Sequence, residues 1–129
     1  MKMKILIIDD SKEDRYIIID HIKNIKKGKM DIHECDCLKD GIQKLSDYDF
    51  DALILDLGLP ESDGLETIET ILNHISNSNK NTPVIVLTGL EDYSLGRKAW
   101  SLGIKDFLIK DETHQKDISR ALTFANLKK

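Results

Sequence analysis

Basic charge is scarce in this sequence. Its 19 lysines and arginines are outnumbered by 23 acids, for a formal net charge of −4. That balance disfavours an unaided grip on nucleic acid phosphates or anionic lipid and excludes a basic DNA-binding arm. Cysteine is almost missing: there are 2, Cys35 and Cys37. If their stretch is a strand, both point to one face, too close in sequence for a useful clamp. Without further Cys or His partners at ligand spacing they read as reduced, small apolar side chains. Long apolar runs are missing too, since none approaches the roughly 20 residues that span a bilayer. Met1-Lys2-Met3-Lys4 leads into an apolar run, Ile5 to Ile8, that is too short for a signal-peptide core. A cytoplasmic protein is expected.

What is present describes one globular domain. A chain of 129 residues with 40% hydrophobic and 33% charged residues can bury a core without staples, and is neither collagenous nor disordered. Short apolar runs alternate with longer amphipathic ones, the rhythm of βα units. The first run, Ile5-Leu6-Ile7-Ile8, is β-branched and continuous, as in a strand buried on both faces. Ser11 and Asp14 form an S-x-x-D capping box, and Ile18, Ile22 and Ile25 mark the helix that follows. It gives out at Lys26-Lys27-Gly28.

Ile32, Glu34 and Asp36 outline a weaker second strand ending near Cys37. Leu38 to Leu45 reads as a short helix, weakened by Gly41. Ala52-Leu53-Ile54-Leu55 is a third strand ending at Asp56, and a loop from Leu57 to Asp63 carries Pro60. Gly64 opens a helix marked by Leu65, Ile68, Ile71, Leu72 and Ile75. Ser76 to Thr82 is a polar loop. Val84-Ile85-Val86-Leu87 is the fourth strand, ending at Thr88. Leu95, Ala99 and Leu102 mark a fourth helix closed by Gly103. Phe107-Leu108-Ile109 ends at Lys110, and Ile118, Ala121, Leu122 and Ala125 stripe the last helix. Alternating βα units imply a doubly wound α/β fold, a five-stranded parallel sheet with helices on both faces.

In such a sheet ligands gather at the C-terminal edge of the strands. Asp9 and Asp10, Asp56, Thr88 and Lys110 all stand at strand ends. Taken singly each has a plain explanation: an acid at a helix start, a turn former, a cap, a solvated lysine. Their joint placement points elsewhere. Three carboxylates in one cleft repel each other and need a cation, and oxygen ligands in an open site suit Mg²⁺. A lysine and a threonine beside them can hold phosphoryl oxygens. An aspartate can itself be the nucleophile.

These residues sit in stretches that together resemble the receiver domain of response regulators, the chemotaxis-regulator family. The stretches are Ile7-Ile8-Asp9-Asp10-Ser11, Leu55-Asp56-Leu57-Gly58-Leu59-Pro60 through Asp63-Gly64, Val86-Leu87-Thr88-Gly89, and Gly103 through Lys110. The resemblance covers the whole chain. It implies a flavodoxin-like sheet of order 2-1-3-4-5 and a single receiver domain over residues 1–129, with no output domain in the chain. It also implies that Asp56 accepts a phosphoryl group from a sensor histidine kinase or a histidine phosphotransfer protein. Asp10, Asp56 and the Gly58 carbonyl would bind Mg²⁺, with Asp9 acting through water. Thr88 and Lys110 would contact phosphoryl oxygens, Gly89 would leave room for them, and Phe107 would turn inward as Thr88 moves.

The sequence departs from the family twice. Asp111 follows the lysine where the family usually has proline, so a trans peptide is expected there. Gly58 and Leu90, two residues beyond Asp56 and Thr88, lack the polar side chains that position a hydrolytic water. Trp100, about 100° from Ala99 around the fourth helix, should flank the core toward Phe107. There it would join a partner-docking face made of the fourth helix, fifth strand and fifth helix, although simple packing against the last helix would also explain it. The expected protein is a phosphoacceptor switch with an unknown downstream protein target, without direct nucleic acid binding or membrane insertion. The alternatives are a small phosphatase with an aspartyl nucleophile and a phosphorylation-independent interaction module. A flavin site fits poorly, because no Gly- or Ser/Thr-rich phosphate loop follows the first strand.

Overall fold

The computed structural model describes residues 2–25, 29–89 and 93–126. Strands and helices alternate: β1 Lys2–Ile8, α1 Lys12–Lys23, β2 Lys29–Cys35, α2 Leu38–Asp47, β3 Ala52–Leu55, α3 Gly64–Asn77, β4 Val84–Thr88, α4 Tyr93–Leu102, β5 Asp106–Ile109 and α5 Gln115–Asn126. One turn of 3₁₀ helix, Lys110–Glu112, joins β5 to α5. The strands form a parallel sheet in the order β2-β1-β3-β4-β5. This is the flavodoxin-like topology, with the order reversing between β1 and β3, the place where such folds bind ligands.

The continuous apolar strands serve two cores at once, because successive side chains point to opposite faces. Leu6, Ile8, Leu53, Leu55, Val84 and Val86 face α2, α3 and α4, meeting Leu45, Ile68, Ile71 and Ala99. Ile5, Ile7, Ala52, Ile54, Ile85 and Leu87 face α1 and α5, meeting Ile18, Ile22, Ile118 and Leu122. Fully burying each such side chain contributes roughly 1.5–3 kcal/mol, so two faces of burial anchor the sheet. Among the described residues no helix is long and apolar enough to cross a membrane.

Several element bounds differ from the pattern. β1 begins at Lys2 because its edge partner β2 continues the ladder down to Lys29. β2 ends at Cys35, so Cys37 lies beyond the strand at the start of α2 and does not share a strand face with Cys35; both are free thiols. Ser76 and Asn77 belong to α3, not to the polar loop. The end of the first helix foreseen at Lys26-Lys27-Gly28, and Leu90, lie outside the described residues.

Gly41 is not a weak point of α2. A Cβ there would overlap Ile8 Cδ1 and lie 2.8 Å from Ile8 Cγ1, so the missing side chain lets the helix sit close on β1. On α4 the buried residues are Gly96 and Ala99, with Leu95 half-buried. Leu102, expected in the buried stripe, is 41% exposed. The Phe107 ring fits over Gly96, where a Cβ would lie 3.5 Å from it. That contact rotates the buried face toward Gly96 and leaves Leu102 at the rim. Gly103 closes the helix with φ +113°, a conformation only glycine adopts without strain.

Candidate functional site

The register of the sheet assembles the site. Ile8 pairs with Leu55, and the Asp56 amide donates to the Ile8 carbonyl at 2.9 Å, so Asp9 and Asp56 leave neighbouring strands side by side. Thr88 pairs with Ile109, which places Lys110 just beyond Thr88 on the far side of β4. Asp9, Asp56 and Thr88 are buried polar residues, at 1%, 5% and 0% exposure. Asp10 is exposed. Carboxylate oxygens of Asp9, Asp10 and Asp56 lie within 4.8 Å of one another.

Lys110 Nζ sits among acids, 2.8 Å from Asp9 Oδ2, 2.8 Å from Asp14 Oδ2 and 3.5 Å from Asp56 Oδ2. Burial alone works against its ammonium. The carboxylates of Asp14 and Asp9 and the charge of Asp56 outweigh burial and push the lysine above its ordinary pKa. Burial drives Asp9 the other way for a carboxyl, upward, and the neighbouring Asp56 charge adds to it. Lys110 and the Ser11 amide oppose that rise. Asp9 Oδ1 accepts from Ser11 N at 2.9 Å, while its buried Oδ2 has the Lys110 ammonium 2.8 Å away as its ion-pair partner.

Three carboxylates this close, two of them buried and sharing a single ammonium, make an environment that a hard cation fits. The donor set is all oxygen, which suits Mg²⁺ better than a soft metal. Asp14, Asp56, Gly58, Thr88, Gly89 and Lys110 line an open cleft of about 340 Å³ over this cluster. A Cβ on Gly89 would meet nothing within 4 Å, so the cleft is open beside it. A cleft with carboxylates, a hydroxyl and one ammonium can hold a small phosphorylated group but buries too little apolar surface for a large ligand.

The structure also brings in residues that pattern reading did not place here. Asp14 was a capping-box acid in the sequence. Ser11 Oγ does accept from Asp14 N at 3.2 Å, yet the Asp14 carboxylate turns to Lys110, 96 residues away. Arg15 bonds the Asp9 carbonyl at 2.7 Å through Nη1 and Glu34 Oε1 at 2.9 Å through Nε, tying the end of β1 to β2. Glu61, in the loop after β3, accepts from Leu38 N at 2.9 Å and Lys39 N at 3.3 Å. It caps α2, whose own N-cap residue Cys37 makes no side-chain bond. These are contacts across the fold, with no local spacing to signal them.

Farther out, Trp100 is 54% exposed. It lines a groove of about 390 Å³ with Phe107, Tyr93, Arg97, Glu112 and Asp117. Among the described residues no peptide bond is cis, including the one between Lys110 and Asp111. Asp36, Cys37 and Asp40 also come within 4.8 Å, but they include neither histidine nor a second cysteine, and both acids are solvated.

Comparison with known proteins adds a family. The family described as response regulator receiver domain matches residues 5–122. The transcriptional regulatory protein CrdR of Helicobacter pylori is 32% identical over 113 residues, covering 85% of this chain and 49% of that protein. The Regulator of RpoS of Escherichia coli is 29% identical over 117 residues, covering 91% of this chain and 32% of that protein. The chain thus spans less than half the length of these relatives. A response regulator receiver domain protein from Clostridium thermocellum superposes with a TM-score of 0.82 at 22% identity, over 98% of this chain and 95% of that one.

Proposed function

The chain belongs to the response regulator receiver domain family of two-component signalling, and from that premise we propose that it is a phosphoacceptor switch whose acceptor is Asp56. The observation that carries the reading is the position of Asp56. It is buried at the end of β3, shares a cluster with Asp9 and Asp10, and has the Lys110 ammonium 3.5 Å away.

In this reading a carboxylate oxygen of Asp56 attacks the phosphorus of a phosphohistidine on a sensor kinase or phosphotransfer protein. The new O–P bond forms as the P–N bond breaks, and the imidazole leaves with the electron pair. There is little covalent work for the protein, so catalysis is positioning and charge neutralisation. Lys110 supplies a positive charge to the transferred oxygens, and the Thr88 hydroxyl stands at the same edge. Asp10 and Asp56, with the Gly58 carbonyl, would hold Mg²⁺ and Asp9 would act through water; the ion when bound offsets the negative charge on the phosphoryl oxygens. The protein is a substrate of its kinase more than an enzyme in its own right.

The output would leave through α4, β5 and α5. The groove between Trp100 and Phe107 supports this, because Phe107 pairs with Val86, two residues before Thr88 on β4. A partner is regulated only if it binds the phosphorylated form better than the free one.

The test is incubation with acetyl phosphate and Mg²⁺ followed by intact mass. Wild type should gain one phosphoryl group and Asp56→Asn should not. An equal gain in Asp56→Asn would overturn the assignment, and turnover of small phosphoesters with no stable gain would favour the aspartyl phosphatase.

A further inference from the structure

We propose that Asp14, on α1, is a positioning residue that competes with a phosphoryl group for Lys110, so that it weakens binding of that group at Asp56. The inference rests on the phosphoacceptor reading and adds to it a residue that sets the balance of the switch.

The geometry begins at the helix cap. Ser11 Oγ accepts from Asp14 N at 3.2 Å, which fixes the Asp14 backbone in the first turn of α1. In a closed capping box the acid would bond the amide of the capping residue. Here that amide, Ser11 N, donates instead to Asp9 Oδ1 at 2.9 Å. The Asp14 carboxylate is therefore released from the cap, and it accepts from Lys110 Nζ at 2.8 Å. Asp9 Oδ2 is equally near the ammonium and shares it. Asp56, the acid the lysine would serve, is the farthest of the three at 3.5 Å.

Two consequences have the same sign. An ammonium has three N–H donors, and a phosphoryl group brings about 1.5 to 2 negative charges with three acceptor oxygens. The donor that Asp14 holds is not free to meet it. The Asp14 carboxylate also lines the cleft that the group would enter, where its charge repels the newcomer. A ligand shifts an equilibrium only by its preference between two states, so any contact that it must displace weakens its binding in proportion. A helix-dipole role for Asp14 would be satisfied by any first-turn acid. It would not require a carboxylate aimed at a lysine that follows β5, 96 residues away.

The experiment titrates beryllofluoride, a phosphoryl mimic, into wild type, Asp14→Asn and Asp14→Glu in saturating Mg²⁺, reading bound fluoride by ¹⁹F NMR. Asn keeps the backbone cap and removes the charge. Asp14→Asn should bind about tenfold more tightly, the low end for loss of a hydrogen bond between charged groups. Asp14→Glu should stay near wild type. A second readout is the ¹⁵Nζ resonance of Lys110 without mimic, which should be protected in wild type and exchange faster in Asp14→Asn. Equal or weaker binding by Asp14→Asn, Glu behaving like Asn, or an unchanged Lys110 resonance would overturn the role given to Asp14. Absence of mimic binding in wild type would overturn the phosphoacceptor reading itself, and the inference with it.

Discussion

Replacing Lys110 by methionine keeps the apolar stem and removes the ammonium that three carboxylates share. The magnitude follows from the distances. At an effective dielectric constant of about 20, a pair 2.8 Å apart has about 6 kcal/mol of Coulomb attraction, and Lys110 has two such pairs. Taking the ammonium out of water cancels most of that, and removing one partner of a buried pair costs about 3–5 kcal/mol. The side chains of Lys110 and Asp14 keep 18% and 38% exposure, which lowers the expected loss to about 2–3 kcal/mol. For a domain of this size that is a fall in Tm of roughly 10 °C. The assay is urea unfolding followed by circular dichroism, first in EDTA and then with Mg²⁺. Asp9, Asp10 and Asp56 repel each other more strongly once the lysine is gone, so Mg²⁺ should restore more stability to the variant than it adds to wild type. A loss in EDTA below about 0.5 kcal/mol, the range of ordinary surface changes, would refute the reasoning. So would an equal Mg²⁺ gain in the two proteins.

Further outcomes are expected elsewhere in the fold. Gly41→Ala should destabilise by about 1–2 kcal/mol despite the better helix propensity of alanine, because the new methyl group meets Ile8; greater stability in urea would contradict the packing. Glu61→Ala should cost about 1 kcal/mol and speed amide exchange at Leu38 and Lys39, whose N–H groups it accepts; unchanged exchange there would show that α2 is capped by other means. Beryllofluoride with Mg²⁺ should alter the emission of Trp100, the sole tryptophan, and Phe107→Ala should reduce the change. An insensitive spectrum at full occupancy would separate Trp100 from the switch.

The sequence by itself determined the class of fold and the chemistry available at one edge of it. Runs such as Ile5 to Ile8 and Val84 to Leu87 are apolar at every position, which only a strand covered on both faces tolerates, and the helices between them make the sheet parallel. With the strands parallel, Asp9, Asp56, Thr88 and Lys110 fall on a common edge whatever the details of packing. The tertiary structure decided which of those groups touch. Asp14 reads locally as a capping acid, and only the approach of α1 to the end of β5 turns its carboxylate to Lys110. Gly41 reads as a flaw in a helix until Ile8 fills the space above it. Glu61 reads as a loop acid until α2 presents its bare amides. Leu102 reads as core, but Phe107 over Gly96 rotates the buried face of α4 away from it. The division has a physical basis. Burial patterns repeat along the chain at the period of each element, so a single sequence displays them. A hydrogen bond between residues 14 and 110, or a methylene against a missing Cβ, depends on how two elements approach in space, and nothing periodic in the chain encodes that approach.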